Sequence, residues 1–311
     1  MRQRILVVAA LAATCLFVSC KKTDKTELDT QTQQFNDDAN NYKLESDQID
    51  DDINNSINDN GFWDRRAGVA SSPLCGVTID TSQLAQKILT YNFDGVTPCF
   101  GPSRTRSGQV KVQLTSGNSW QDAGAQLTIS YLNFKITRLS DNKSITFNGV
   151  KTLTNVSGHN WLTFLLGTST FTHQSRAFNV AVTFDNGQSA VWNHAYSTQW
   201  SYSPTGLHSP LITFTGVGDT TYTGYSNTAS WGVNRYGQNF VTYYQAPYVS
   251  NTYCGLWRPL SGSLTHHVNT NDFTLTLGVD QSGNASTLDC AYGYKVTWTV
   301  NGNTNTMVQS Y

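Results

Sequence analysis

Histidine and aspartate are the residues of this sequence that could supply a metal site or acid–base catalysis. The six histidines are scattered, no HExxH motif occurs, and no pair stands two or four residues apart beside a carboxylate, as metal sites commonly require. His266 and His267 are adjacent on a predicted strand, so they point to opposite faces and cannot share one metal. We interpret the histidines as surface or core residues, and we predict no metal and no cofactor.

Paired aspartates are the second source of chemistry, because hydrolysis of a glycosidic bond needs two carboxylates about 5–10 Å apart. From residue 61 onward every acid is Asp. Asp185 and several others lie beside turn signals, where Asp is expected for structural reasons, although a pair such as Asp64 and Asp122 could converge. GxSxG is absent, and Gly216-Val217-Gly218 precedes no phosphate-binding helix. We therefore predict no catalytic residue.

Aromatic side chains are the stronger indication of function. A dense group lies at Trp192, Tyr196, Trp200 and Tyr202. Exposed Trp and Tyr on a rigid β-platform stack on sugar rings or anchor protein partners. The alternative is that these rings fill the core. We expect at least one ring of the group to be exposed, and we assign these four as candidate ligand-binding residues.

These side chains must be positioned by β-strands, because apolar and polar residues alternate from Gly61 onward. Alternation predicts strands with one buried face, and turn signals such as Asn148-Gly149 separate them. The sequence predicts an all-β body over residues 61–311, an antiparallel β-sandwich or stacked sheets, in which a border near 200–215 would separate two sub-domains. The predicted strands are 109–114, 126–131, 133–139, 144–147, 178–184, 190–196, 211–215, 240–244, 273–277 and 294–300.

Residues 20–60 carry a different pattern, which predicts a short N-terminal helical neck. Asn and Asp are frequent there, so the helix would be marginal alone and must dock on something or remain partly disordered. A coiled-coil dimer is the alternative. The apolar residues that recur at spacings of three, four or seven are Phe35, Ala39, Tyr42, Ile49, Ile53 and Ile57.

Charge separates this neck from the body. Residues 24–59 hold 11 of the 21 acids and two lysines, whereas 10 acids and 14 bases follow from residue 61 onward. We interpret the acids of the neck as a solvated face. The whole chain has a formal net charge of −1, so no global field attracts nucleic acid.

Four cysteines, Cys75, Cys99, Cys254 and Cys290, form an even set that argues for disulfides in an exported protein. Three pairings are possible. We favour Cys75–Cys99 and Cys254–Cys290, because each pair brackets a plausible hairpin. A zinc site is the alternative, and it is weak because no CxxC spacing exists.

The first residues predict export. Arg2 and Arg4 precede an apolar run of about 14 residues, which is shorter than the roughly 20 residues of a membrane-spanning helix, so residues 1–19 are interpreted as a signal peptide. Residues 17–20 resemble the lipobox of bacterial lipoproteins, with Phe17 where Leu is usual. The resemblance implies that acyl chains such as palmitate on Cys20 anchor the protein to a membrane. The alternative is an ordinary leader cleaved near Ala13.

Several further phrases resemble a group of β-rich lipoproteins of Bacteroidota. They are residues 104–108, 135–141 followed by Asn148-Gly149, 232–237, and the 254–290 block with its PLSG core. The resemblance covers most of residues 75–300. It implies a disulfide-stapled β-fold in the cell envelope, at the outer membrane, and it brings no catalytic residues.

Together these observations predict a lipid-anchored cell-envelope protein with a non-catalytic binding role. Its expected partners are the membrane, through the lipid anchor, and a glycan, a surface polymer or a protein. The alternatives are a polysaccharide-acting hydrolase and a structural envelope component.

Overall fold

The computed structural model describes residues 30–60, 74–99, 103–158, 164, 170–202, 210–255, 258–300 and 302–311. The signal peptide expected at residues 1–19, Cys20 and Asp64 lie outside them. The elements are α1 (Thr30–Asn60), β1 (Val77–Asp80), a 3-10 turn (Leu84–Gln86), β2 (Ile88–Asp94), β3 (Arg104–Ser116), β4 (Ala125–Arg138), β5 (Ser144–Asn155), β6 (Thr170–Phe184), β7 (Ser189–Ser201), β8 (Leu211–Gly216), α2 (Thr220–Thr223), β9 (Thr228–Val233), β10 (Asn239–Asn251), β11 (Ser261–Val268), β12 (Asn271–Val279), β13 (Gly293–Val300) and β14 (Asn303–Ser310).

Within the described residues, all 14 strands belong to one antiparallel sheet. Each strand pairs with the next in sequence, except that β8 and β9 share one position between β7 and β10. β8 pairs with one half of these two strands and β9 with the other half. β7 begins before the expected border at 200–215 and β9 lies after it, and these two strands are hydrogen-bonded to each other. The all-β, antiparallel prediction is confirmed, with one continuous sheet in place of two stacked ones.

A row of β-bulges bends this sheet across four neighbouring strands. A bulge adds one residue to one strand, which bends that strand and increases its twist. Gly108 lies in the row with φ of 87°, and a Cβ there would come within 2.1 Å of the Asn133 carbonyl oxygen, so only glycine fits. The register shifts lie at 107–109 of β3, 131–134 of β4, 148–150 of β5 and 177–180 of β6.

Strand β4 shows how a bulge keeps apolar side chains on one face. Leu127, Ile129 and Tyr131 are buried before the bulge, and Phe134 is buried after it. Alternate residues of an unbroken strand face the same side. The extra residue at the bulge therefore changes the buried positions from odd-numbered to even-numbered. The two strands predicted at 126–131 and 133–139 are therefore one bent strand, β4.

Helix α1 packs its apolar stripe against the inner face of the sheet. Ring contacts join the helix to β5, β7, β10 and β12, so the sheet curves around the helix. Burying one such side chain contributes about 1.5–3 kcal/mol. The predicted helix is confirmed, and its stripe docks on strands of the same chain. The stripe residues buried in the common core are Phe35, Tyr42, Ile49, Ile53 and Ile57.

Four of the eight acids of α1 are buried ion-pair partners of the sheet, which corrects for these four the expectation of a solvated acidic face on a neck. The four paired acids are at most 8% exposed, and a buried charge needs a partner. The acidic segment and the basic body are therefore electrostatic complements, and α1 is an internal part of the body. The pairs are Asp38–Arg235, Glu45–Arg104, Asp50–Lys151 and Asp52–Arg106.

Two disulfides close loops at the two ends of the β-body. Cys75 bonds to Cys99 and Cys254 bonds to Cys290, so the predicted pairing is confirmed. In the part of the chain that the structure describes, no helix is long and apolar enough to cross a membrane.

Candidate functional site

Two of the four predicted ligand-binding residues, Trp192 and Tyr196, are buried on the inner side of β7. Trp192 is 1% exposed and stacks on Tyr42 of α1, with ring centroids 5.0 Å apart. It fills the core and cannot stack on a sugar, which corrects the expectation for this residue. The Tyr196 hydroxyl donates a hydrogen bond to the Asp47 carboxylate of α1, so this tyrosine joins the sheet to the helix.

The other two predicted residues lie at the end of β7 and are more accessible. Trp200 is half-buried and stacks on Phe171 of β6, with centroids 5.5 Å apart. Tyr202 is 40% exposed, stacks on Phe164 at 4.4 Å and donates a hydrogen bond to the carbonyl of Phe164. At least one ring of the group is therefore exposed, as expected.

A cavity of about 410 Å³ lies between α1 and the inner face of the sheet, and we call it the α1 cavity. Its sheet side is mainly aromatic and aliphatic, and its helix side is polar and acidic. Tyr196 and Trp200 line it, whereas Trp192 and Tyr202 do not. Ligand sites commonly have volumes of about 300–1,000 Å³. The principal lining residues are Asn40, Lys43, Asp47, Gln48, Asp50 and Asp51 on α1, with Ser175, Tyr196, Trp200, Phe214 and Tyr248 on the sheet.

The polar side of the cavity follows from the periodicity of α1. Positions 40, 44, 48 and 51 are exposed or half-buried and line the cavity, and spacings of three and four place them on one stripe of a helix. The sheet covers the rest of the helix and leaves this stripe open. The cavity therefore has hydrogen-bonding groups facing aromatic rings.

Burial controls the protonation of the carboxylates in the α1 cavity. Burial, together with the charges of Asp47 and Asp50, raises the pKa of Asp51 to about 8. Burial also raises the pKa of Asp50 to about 6, although the Lys151 ammonium beside it acts in the opposite direction. Asp47 accepts hydrogen bonds from Lys43 and Tyr196. At neutral pH the cavity can thus hold a protonated carboxyl, Asp51, close to the ionised carboxylate of Asp50.

A buried chain of polar side chains lies beneath the cavity. The Ser175 hydroxyl and His194 Nε2 are 2.9 Å apart, and His194 Nδ1 is 2.9 Å from the Tyr42 hydroxyl. Burial, with Lys151 nearby, holds the pKa of His194 well below its usual range, so the imidazole is neutral and one of its nitrogens accepts a hydrogen bond. This chain joins α1 to β6 and β7 and fixes the helix on the sheet.

A second cavity of about 420 Å³ lies beside the first half of α1 and is lined mainly by charged and polar residues. Its cations are largely paired: Arg235 contacts Asp38 at 2.6 Å, and Arg104 contacts Glu45. These groups serve the docking of the helix. The α1 cavity is therefore the better candidate for ligand binding.

The carboxylates considered for hydrolysis in the sequence have structural roles where they are described. Asp122 accepts hydrogen bonds from the backbone N–H groups of Asn118 and Ser119, and Asp185 lies in the turn after β6. Among the described residues, no group of three or more His, Cys, Asp or Glu side chains is placed to hold a metal ion.

Comparisons with protein-family models, with curated proteins and with solved structures find no match for this chain. The site therefore rests on its own geometry.

The acids of α1 were not predicted as residues of the site. Only acids after residue 60 were candidates for catalysis, because the earlier ones were interpreted as a solvated face. The opposite charges of the two segments were the available signal, since an acidic helix with an apolar stripe can dock inside a basic sheet.

Proposed function

We propose that this protein is a lipid-anchored protein of the cell envelope, at the outer membrane, that binds a carbohydrate polymer without catalysis. The leader and the lipobox around Cys20 support the location. The α1 cavity supports the binding role.

The observation that carries the binding proposal is the pairing of aromatic rings with hydrogen-bonding groups across one cavity. Trp200 and Phe214 provide apolar ring surface on the sheet side, while Asn40 and Gln48 provide amides on the helix side. Sugars present apolar C–H faces and hydroxyl edges, so an amphipathic cavity matches both. Because the rings belong to a sheet and the amides to a helix fixed by ion pairs, the site is formed before the ligand arrives.

Binding of cell-surface polysaccharides to Trp200→Ala tests this proposal. We expect the affinity of the full chain for its best polysaccharide to fall about 5- to 150-fold, the range for a central aromatic contact worth about 1–3 kcal/mol. Tyr202→Ala is the matched control, because Tyr202 lies nearby on the chain but outside the cavity. Calorimetric titration gives the affinities, and thermal unfolding checks that both variants fold. Equal losses in the two variants would contradict a site in the α1 cavity.

A polysaccharide-acting hydrolase is the second candidate, and the raised pKa of Asp51 favours it. A carboxyl that is protonated at neutral pH can donate a proton to a leaving group while an ionised neighbour such as Asp50 assists. Release of reducing sugar by the wild type, abolished in Asp51→Asn with binding retained, would establish hydrolysis and overturn the non-catalytic proposal.

A further inference from the structure

The ammonium of Lys43 lies in a box of aromatic rings in the α1 cavity. Its Nζ atom is 3.7 Å from the ring centroid of Phe214, 4.6 Å from that of Tyr196 and 6.0 Å from that of Tyr248. The Asp47 carboxylate accepts a hydrogen bond from the same ammonium. Aromatic faces around a cation are the arrangement with which proteins bind ammonium ligands. A formed ammonium site is therefore occupied by a side chain of the protein itself.

Lys43 can leave this box without disturbing the core. Its side chain is 29% exposed, and its flexible four-carbon stem allows the ammonium to turn toward water. Lys151 is different, because its side chain is fully buried and bound to Ser46 and Asp50. Of these two lysines, Lys43 is the exchangeable one.

The ion pairs of the α1 cavity also favour a cation as the ligand. Asp47, Asp50 and Asp51 line it, while Lys43 pairs with Asp47 and Lys151 pairs with Asp50. Within the described part of the chain, Asp51 forms no ion pair. An incoming cation would keep Asp47 paired when Lys43 leaves, whereas an incoming anion would leave the Asp47 carboxylate without a cation and lie beside it.

We propose that the α1 cavity binds a sugar with a free amino group, whose ammonium replaces that of Lys43 in the aromatic box. This inference rests on the proposed carbohydrate binding and names the class of sugar. One ammonium takes the place of another, so the exchange leaves the charge balance around Asp47 unchanged. The sugar ring then lies along the cavity toward Trp200.

The test measures binding of glucosamine and glucose to the full chain by NMR titration, with n-butylammonium and n-butanol as a pair that carries no sugar. We expect glucosamine to bind at least about 10-fold more tightly than glucose, and butylammonium more tightly than butanol. Lys43→Met, which keeps the stem and removes the internal competitor, should tighten glucosamine binding several-fold. Phe214→Leu keeps an apolar side chain but removes one ring of the box, and it should weaken glucosamine binding by a larger factor than glucose binding.

The outcomes separate this inference from the proposed function. If glucose binds as tightly as glucosamine and both depend on Trp200, carbohydrate binding stands and the ammonium site falls. If butylammonium binds in competition with Lys43 but no sugar binds, the ammonium site stands and carbohydrate binding falls. Absence of binding by all four probes, or unchanged glucosamine affinity in both Lys43→Met and Phe214→Leu, would overturn the inference.

Discussion

The replacement Asp51→Asn should stabilise the protein at alkaline pH, because Asp51 is the carboxyl of the α1 cavity that has no ion-pair partner among the described residues. The pKa of this group is about 8 in the folded chain, against an ordinary value of 3.8. The folded chain thus holds the proton more tightly, and the stability that this proton contributes is fully present below pH 4 and lost as the pH rises to about 8.

The magnitude follows from the difference between the two pKa values. At about 1.36 kcal/mol per pH unit, a dry site would lose about 6 kcal/mol between pH 4 and pH 8. Asp51 borders an open cavity and is partly exposed, so solvent screening reduces this to about 1–2 kcal/mol. We therefore expect Asp51→Asn to raise the free energy of unfolding by about that amount at pH 8.5, and the melting temperature by about 2–8 °C. The difference should vanish near pH 4.

Urea denaturation of the wild type and the variant at pH 4, 6 and 8.5 measures this effect. Asp122→Asn is a control of opposite sign, since backbone N–H groups lower the pKa of Asp122 and stabilise the folded state above its ordinary pKa. That variant should lose stability at pH 8.5. An Asp51→Asn variant that is less stable than the wild type at pH 8.5 would refute the assignment of Asp51 as an uncompensated acid.

Three further predictions concern the anchor, the ion pairs and the disulfides. Cys20→Ala should move the protein from the membrane fraction to the soluble fraction, because acylation is its expected membrane attachment; unchanged detergent partitioning would contradict the lipobox. Lys151→Met should cost about 3–5 kcal/mol in denaturant titration, because it leaves the Asp50 carboxylate buried and unpaired, and restoring an apolar partner with Asp50→Leu should recover part of the loss. Replacing Cys254 and Cys290 by Ser should cost about 2–4 kcal/mol, because the bridge closes a loop of 36 residues; a loss below about 1 kcal/mol would argue against this role.

The strands were predictable where their burial alternates, and they were misjudged where it shifts. At the β4 bulge, Asn133 adopts φ of 50° and the buried positions change parity, so one long strand reads as two short ones. Alternation measures only the local period. The hydrogen bonds that join the two parts of β4 to the same neighbours are long-range and leave no local trace.

The helix was predictable, but its surroundings were not. The apolar stripe of α1 predicts a docked face, and this was confirmed. Its acids lie among the stripe residues, and from the sequence they suggested a solvated surface. Only the fold shows that Arg104, Arg106, Lys151 and Arg235 point inward to meet them. The sequence shows which residues are acidic or basic. Which of them form ion pairs depends on which strands face the helix in the fold.

The candidate site was predictable only in part, because it too depends on how the helix packs on the sheet. Tyr196 and Trp200 were selected as aromatic residues, and both line the α1 cavity. Trp192, four residues before Tyr196, faces the same side of β7 but meets Phe35 and Tyr42 of the helix and is sealed. Whether a side chain on the inner face of β7 is exposed depends on whether α1 covers it. That depends on how the helix packs on the sheet and cannot be read from the strand alone.

Hydrogen–deuterium exchange of the full chain with and without its best-binding polysaccharide tests the central claim most directly. If the ligand lies in the α1 cavity, amides should gain protection in residues 43–51 of α1 and in the two facing segments, 196–200 of β7 and 211–216 of β8. Trp200→Ala should abolish this protection at the same ligand concentration. Protection confined to strands that do not line the α1 cavity, with residues 43–51 unchanged, would contradict a binding site between the helix and the sheet.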